Sequence, residues 1–457
     1  MEEKRSADVS FFGLGYVGLA GAVCFSTRGF EVSGVDIDRR KVRKLSRGIV
    51  PFYEPKVSEL FTLSRRSGKL RIGSTYGRSL GARALFICVG TPSLKSGRAD
   101  LSQVKSAAVA IGGVLRRESH YSLVVVRSTV PPGTTNGIVR RLIEKYSGKK
   151  LGEFGLCCSP EFLREGRAID DTFLPDRLII GECDKRSGDT LEALYKRFYG
   201  QNLPPTVRCA AVNAELAKYA SNAFLATKIS FINEIADLCE KAPGADVVEV
   251  ADAIGMDKRI GRQFLNAGLG YGGSCLLKDA RHLINFGNRV GVEMHLLKGV
   301  TSVNDDRPRR AVEAAERFLG NLSGRRIAIL GLSFKPETDD VREAVALRLI
   351  RILLRRKADV IAYDPAATPN ARQVLGNEIK FASSVSKCLS GSDCCIIATE
   401  WPKFSKLGPS DFLLMRRPLI IDGRRIFEPR SFSGKFELIS VGRSPSSLED
   451  PRVSFAT

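Results

Sequence analysis

Val9-Ser-Phe-Phe-Gly-Leu-Gly-Tyr-Val-Gly18 opens with four residues of strand character and passes straight into a glycine-spaced turn. Glycines at 13, 15 and 18 spell G-x-G-x-x-G between a predicted strand and a predicted helix, the context in which the pattern holds a dinucleotide. Gly13 permits the tight turn, Gly15 lets the backbone approach a pyrophosphate, and Gly18 allows helix and strand to pack closely, while the helix N-terminus faces the anion. Asp36 stands 18 positions beyond Gly18, at the end of the second predicted strand. A carboxylate there accepts hydrogen bonds from ribose hydroxyls and repels a 2′-phosphate, which favours NAD over NADP, with the nearby Arg39 and Arg40 acting in the opposite sense.

Outward from that turn, residues 32–35, 85–89, 123–126, 155–158 and 178–180 are short apolar runs separated by helical patterns or loops. Such alternation predicts a mainly parallel sheet covered by helices, with ligands at the C-terminal ends of the strands. The segment ends near Pro204 and Pro205. Residues 213–241 contain neither Gly nor Pro and carry apolar side chains at helical spacing on more than one face. One helix of about 28 residues and about 42 Å is expected, buried on several sides. It is long enough to link two domains and to serve as a dimer interface; a purely intramolecular bundle is the alternative. Further helices follow to about residue 310, and from Arg325 the βα alternation restarts, with strands expected at 327–330, 360–363, 394–398 and 419–421 and a helix at about 343–356. The expected fold class is α/β: two Rossmann-like doubly wound parallel-sheet domains, 1–208 and 313–443, joined through a central helical segment, 209–312. A polar tail, 444–457, is expected to be poorly ordered.

At about 150 residues per domain, 457 residues agree with three compact parts, and 43% hydrophobic with 26% charged residues is an ordinary globular composition. No run of 18 apolar residues is present and the N-terminus lacks a secretory pattern, so a cytoplasmic protein that does not enter the membrane is expected. The formal net charge of +21 makes anionic partners attractive. The basic residues are scattered in short clusters such as Arg116-Arg117, Arg309-Arg310 and Arg355-Arg356-Lys357, at helix ends where cations complement the macrodipole. A nucleic-acid-binding protein is the rival from another class, but neither a basic helix with heptads nor an aromatic RNA-binding signature is visible, and no nucleic-acid partner is expected. Eleven cysteines, an odd number without paired CxxC spacing, beside three histidines suggest neither a disulfide framework nor a metal site.

Five stretches carry polar chemistry. Gly90-Thr91-Pro92 and Ser128-Thr129-Val130-Pro131-Pro132-Gly133 each follow an apolar strand, where hydroxyls and amides can meet a nicotinamide or a water; ordinary turn chemistry is the alternative. Glu161 and Glu165, in Ser159-Pro-Glu-Phe-Leu-Arg-Glu-Gly166, share a face if the segment is helical, and serve either as proton acceptor and ligand group or as a solvated surface. Gly268-Leu-Gly-Tyr-Gly-Gly-Ser-Cys275 places four glycines in six positions ahead of Cys275, at the first turn of a helix. The positive helix end and Lys278 favour a thiolate, and Asp279 lies one turn on, placed to assist proton transfer. Lys218 and Asn222, four apart in the long helix, suit an oxyanion and a water, although from the helix alone Lys218 is expected to snorkel to solvent.

Taken in order, these stretches resemble the UDP-glucose/GDP-mannose dehydrogenase family over about residues 8–430, through GLGYVGLA, GTP, STVPPGTT, SPEFLREG, KYASNAFLATKISFINEI, RIGRQFLNAGLGYGGSC, LGLSFKPETDDVREA and DGRRIF. The resemblance implies an NAD-dependent, two-step, four-electron oxidation of a nucleotide-sugar C6 alcohol to a carboxylate. On it, Cys275 is the nucleophile that forms a thiohemiacetal and then a thioester, Lys218 stabilises an alkoxide, Asn222 and Asp279 position water or an oxyanion, and Thr129 and Glu161 hold the water and accept protons. NAD contacts are implied for Gly13, Gly15, Tyr16, Val17, Gly18, Asp36, Lys41, Thr91, Thr129, Glu165, Lys278 and Arg342. Sugar-nucleotide contacts are implied for Glu161, Phe162, Leu163, Glu165, Lys218, Asn222, Phe264, Leu265, Gly268, Tyr271, Gly272, Phe334, Lys335 and one of Arg424 or Arg425, with Arg259 reaching across a dimer interface. A homodimer or higher homo-oligomer is implied. Leu276-Leu277 departs from the Phe-Pro common in the family. The wording is nearest to the branch acting on UDP-glucose, and Gly-Gly-Ser before Cys275 departs from the His typical of the UDP-N-acetylmannosamine branch. GDP-mannose or a UDP-N-acetylhexosamine is the alternative substrate, and a single-step β-hydroxyacid dehydrogenase, which needs no thiol, the remoter one.

Overall fold

The computed structural model describes residues 7–432 and 436–444, so the tail expected to be disordered lies outside the described residues beyond Ser444. The chain divides into two compact units, Met1–Ser221 and Asn222–Thr457. The boundary falls within the helix Ala211–Cys239, the long helix expected from residues 213–241.

The first unit is built on eight strands: β1 (Val9–Phe12), β2 (Val32–Val35), β3 (Leu70–Gly73), β4 (Ala84–Ile87), β5 (Leu123–Val126), β6 (Gly155–Cys158), β7 (Leu178–Glu182) and β8 (Thr206–Ala210). They lie in the order β3-β2-β1-β4-β5-β6-β7-β8, parallel except where β6 meets β7, Cys158 opposite Gly181. The chain reverses its direction of travel between β1 and β4, and a crevice opens at such a switch point. Successive side chains of one strand point to opposite faces. Phe11 therefore stacks on Phe86 in one apolar layer, ring centroids 4.9 Å apart, while Phe12 packs with Leu85, Ile87 and Val124 in the other.

The second unit carries β9 (Arg326–Leu330), β10 (Asp359–Tyr363), β11 (Lys380–Phe381), β12 (Cys394–Ile397), β13 (Leu419–Asp422) and β14 (Glu437–Ser440), all parallel in the order β11-β10-β9-β12-β13-β14. The helices of this unit run past residue 310, where their end was expected: His295–Leu319 is one helix with Pro308 inside it. Proline costs a helix interior about 3 kcal/mol. Burial of Ala311, Val312, Ala314, Ala315 and Leu319 in the core of this unit offsets that cost.

The strands that composition did not announce are β3, β8, β11 and β14, and each is an edge strand. The first sheet accordingly continues past Pro204 and Pro205 into β8. Interior strands are buried on both faces and read as apolar runs, whereas an edge strand such as Thr206–Ala210 is half exposed and mixed in character.

The two sheets use one device to hold the turn after their first strand. At the end of β2, Asp36 accepts from the Leu14 amide at 2.8 Å. At the end of β10, Asp364 accepts from the Leu332 amide at 2.7 Å. Asp364 is then saturated, taking also the Ser333 amide and hydroxyl, the Ala366 and Ala367 amides and the Trp401 indole N–H. Replacing Asp364 by Ala strands these donors inside the second unit and is expected to lower its stability by about 3 kcal/mol or more. Urea unfolding followed by the fluorescence of Trp401, the chain's single tryptophan, measures it; a midpoint unchanged from the parent would contradict the role given to this carboxylate.

Candidate active site

The glycine turn of the first unit leaves open space at one position and closes the others. A Cβ on Gly18 would lie 1.8 Å from the Gly13 carbonyl oxygen, and Gly13 itself adopts φ +94°. A Cβ on Gly15 would meet nothing within 4 Å, so the backbone at the start of the helix Tyr16–Thr27 faces open space. No side chain caps that helix and its first turn holds no acidic residue, which suits an approaching pyrophosphate. Tyr16 and Val17 lie in its first turn, Tyr16 packed on the Phe52 ring. Asp36 is buried and accepts from the Leu14 and Asp38 amides and from Lys41 Nζ, at 2.8, 2.9 and 2.7 Å. A carboxylate offers about four acceptor directions, so one remains for a ribose hydroxyl. These residues fit a dinucleotide. The corresponding turn of the second unit does not, because Asp364 is saturated and a Cβ on Gly331 would lie 2.4 Å from the Thr399 side chain.

At the C-terminal ends of the next strands, Thr91 Oγ1 donates to the Thr129 carbonyl at 2.8 Å and Ser128 Oγ to the Val89 carbonyl at 2.7 Å, which joins the two hydroxyl-bearing turns. Residues 159–166 are not helical, the next helix being Ala168–Phe173, so Glu161 and Glu165 do not share a helical face. The segment is held instead by buried Glu54, whose carboxylate accepts the Gly166 and Ala168 amides at 2.7 and 2.8 Å. Nor does Lys218 snorkel: it is 4% exposed, with its ammonium 3.7 Å from Glu161 Oε1 and 5.0 Å from the centre of the Phe162 ring. At 3.7 Å this is an ion pair without a hydrogen bond, which leaves the ammonium protons for a third group. Arg177 lies 4.0 Å from the centre of the same ring, and Leu163, its amide bonded to Glu161 Oε2, packs on the adjacent core.

Within the second unit, Cys275 is the N-cap of the helix Leu276–Arg289, one position earlier than its expected place inside the first turn. It is the one exposed thiol of the eleven cysteines, none of which forms a disulfide. Burial pushes thiols such as Cys88 and Cys388 up to about 12, so those stay protonated. Asp279 sends its amide to the Cys275 carbonyl at 2.8 Å, and its buried carboxylate takes Lys278 Nζ at 2.5 Å and Asn222 Nδ2 at 2.6 Å. Lys278 is thus committed to Asp279. The glycine loop before the thiol is braced by residues that sequence reasoning missed. Asn233 accepts the Gly268 amide, Arg307 donates to the Gly268 carbonyl, and Asn304 both accepts the Tyr271 amide and donates to its carbonyl. A polar residue inside an otherwise apolar helical run, as Asn233 is, was the available signal.

Family models match the chain in three consecutive parts: the NAD-binding domain of the UDP-glucose/GDP-mannose dehydrogenases over residues 7–199, their central domain over 212–306 and their UDP-binding domain over 328–429. The chain belongs to the UDP-glucose/GDP-mannose dehydrogenase family. It is 42% identical over 427 residues to the UDP-glucose 6-dehydrogenase of Haloferax volcanii, covering 93% of this chain and 98% of that one. A solved UDP-glucose dehydrogenase of Pyrobaculum islandicum superposes with a TM-score of 0.89 at 40% identity over 97% of this chain and 99% of its own. A UDP-D-ManNAc dehydrogenase structure from Pyrococcus horikoshii reaches 0.84 at 29% identity, over 95% and 99%.

The other positions implied by family resemblance take up varied surroundings. Arg424 donates to the Gly270 and Ala398 carbonyls, and Arg425 grips Asp246 with contacts of 2.6 and 2.7 Å. Arg342 pairs with Asp340 while its carbonyl takes the Gly273 amide; Lys335 lies over the Phe334 ring, and a Cβ on Gly273 would meet that ring at 2.6 Å. Gly272 is equally confined, a Cβ there meeting the Glu343 carbonyl at 2.4 Å, and Phe264 adopts φ +66° beside buried Leu265. Arg259, highly exposed, turns back to Asp257. No helix of the described residues is long and apolar enough to cross a membrane, and no metal-ligating cluster occurs among them.

His282, one turn beyond Lys278, is buried, and desolvation together with the Lys278 charge holds its imidazole down at about 4, against the opposing pull of Asp279. The unfolded ring titrates near 6.5. Below that pH the unfolded chain takes up a proton that the folded chain refuses, so stability should fall from pH 6.5 to about 4. His282→Gln is expected to remove this part of the slope in urea midpoints measured across that window; an unchanged slope would refute the assignment.

Proposed function

We propose that the protein is an NAD-dependent UDP-glucose 6-dehydrogenase, oxidising the C6 alcohol of UDP-glucose to the carboxylate of UDP-glucuronate. The observation that carries this reading is Cys275: one exposed thiol at a helix N-cap, behind a braced glycine loop and next to the Lys278–Asp279–Asn222 cluster. A single-step alcohol dehydrogenase has no use for such a group. The 40–42% identity to proteins named for UDP-glucose, against 29% for the UDP-D-ManNAc enzyme, supports UDP-glucose over the acetamido sugars.

The turn Gly13–Gly18 with Asp36 and Lys41 holds the dinucleotide. NAD bound there would accept one hydride from C6 in each oxidation, two NAD molecules being used in turn. The chain's own groups do the rest. Lys218, desolvated and only loosely tied to Glu161, stabilises the alkoxide oxygen, and Glu161 takes the proton. Cys275, as thiolate, adds to the aldehyde carbon, so the intermediate stays covalently held and the carbon becomes tetrahedral. The product of the second oxidation is a thioester on Cys275. Water opens it to the carboxylate and returns the thiol, a step to which the family resemblance assigns Thr129, Asn222 and Asp279.

Two NADH per UDP-glucuronate are expected, followed by absorbance, with UDP-N-acetylmannosamine and GDP-mannose as poor substrates. Cys275→Ala should lose acid formation by about a thousandfold or more. One NADH per sugar, or acid formed by the variant at the parental rate, would sink this mechanism.

The proposal includes self-association through the central segment 209–312. Phe224, Phe231 and Leu238 recur every seven residues on the long helix; Phe224 is 65% and Leu238 66% exposed. An apolar stripe of this length on a soluble domain marks a contact surface. Phe224→Asp combined with Leu238→Asp is expected to halve the solution mass measured by light scattering, and an unaltered mass would refute the interface. A cytoplasmic setting is part of the same proposal, and cysteines that form no disulfide suit a reducing compartment.

A further inference from the structure

Glu215 is buried, 2% exposed, and no role in the chemistry above uses it. It lies in the second turn of the long helix, three residues before Lys218 and seven before Asn222, so at 100° per residue the three point within about 60° of one another. Its carboxylate reaches out of the helix to the turn after β5: Oε2 accepts the Gly133 amide at 2.5 Å and Oε1 the Thr135 amide at 2.7 Å. These are amides at the N-terminal end of the helical turn Thr134–Val139, which no side chain of its own caps. Carboxylates are favoured at such ends, and the bonds offset only part of a burial that leaves the Glu215 carboxyl above its ordinary range. The same turn is tied at its other end by Thr91 to the Thr129 carbonyl and by Ser128 to Val89. Glu215 therefore joins the strand-end turn that bears Thr129 to the helix face that bears Lys218.

We propose that Glu215 is a positioning residue for the oxidation: it fixes Thr129 in register with Lys218, and its loss slows the chemical step without weakening the hold on the nucleotide sugar. The inference rests on the roles assigned to Thr129 and Lys218 under the proposed function. Two carboxyl–amide bonds, across 82 and 80 residues of chain, are hard to explain as stability alone, because a smaller neutral acceptor would cap the turn without the cost of burying a carboxyl group.

The test uses the full-length enzyme with UDP-glucose and NAD. Glu215→Ala is expected to lower kcat about 10- to 100-fold, as misplacement of a reacting group by about 1 Å does, with KM for UDP-glucose within about threefold of the parent. Glu215→Gln, which keeps one acceptor and folds where Ala fails to, should show a smaller kcat loss with the same KM pattern. The double variant Thr129→Ala, Glu215→Ala (or Glu215→Gln in its place) should be no slower than the slower single variant, since both remove one function. Variants that fold with parental kcat while Thr129→Ala is slow overturn this inference alone, as do multiplicative losses in the double variant. Thr129→Ala at the parental rate overturns it by removing the role assigned to Thr129 on which it rests.

Discussion

A carboxylate bonded to the backbone amide of the turn beside it is the interaction on which both sheets depend. Asp36 and Asp364 stand at equivalent places, each at the end of its sheet's second strand and each holding the amide that follows the first strand's glycine. The difference between them is occupancy. Asp36 keeps acceptor capacity beside an open Gly15, whereas Asp364 spends all of its own on six donors beneath a turn closed by Thr399. One frame thus yields a turn that can receive a dinucleotide and another that is a structural knot.

The long helix shows how polar chemistry is held inside an apolar element. Burying a charge or an amide costs several kcal/mol unless it is paired. Lys218 has Glu161 and the Phe162 face, Asn222 has Asp279, Asn233 has the Gly268 amide, and Glu215 has two amides of a distant turn. Under the proposed mechanism each of these bonds also locates something the chemistry uses. The pairing that makes burial tolerable is therefore the same pairing that orients the groups.

Thiol chemistry in this chain is sorted by exposure. Buried cysteines such as Cys88 and Cys388 are pushed up in pKa by desolvation and behave as small apolar side chains, while Cys275, the exposed one, stands at a helix end. The glycines before it serve the same purpose, since Gly272 and Gly273 lie so near the Glu343 carbonyl and the Phe334 ring that no side chain fits.

The amino-acid order alone revealed the interior strands, the dinucleotide turn, the long helix and the thiol loop. Each of those is a local pattern: an apolar run buried on both faces, glycines at fixed spacing, a breaker-free stretch, a cysteine after four glycines. The half-exposed edge strands β3, β8, β11 and β14 left no such mark, and neither did the non-helical path of Glu161 and Glu165 or the burial of Lys218. Glu54 and Glu215 were equally silent, because their partners lie 112 and 82 residues away along the chain. Whether a carboxylate is solvated or gripping a remote amide depends on which segments folding brings beside it, and no spacing within one segment encodes that.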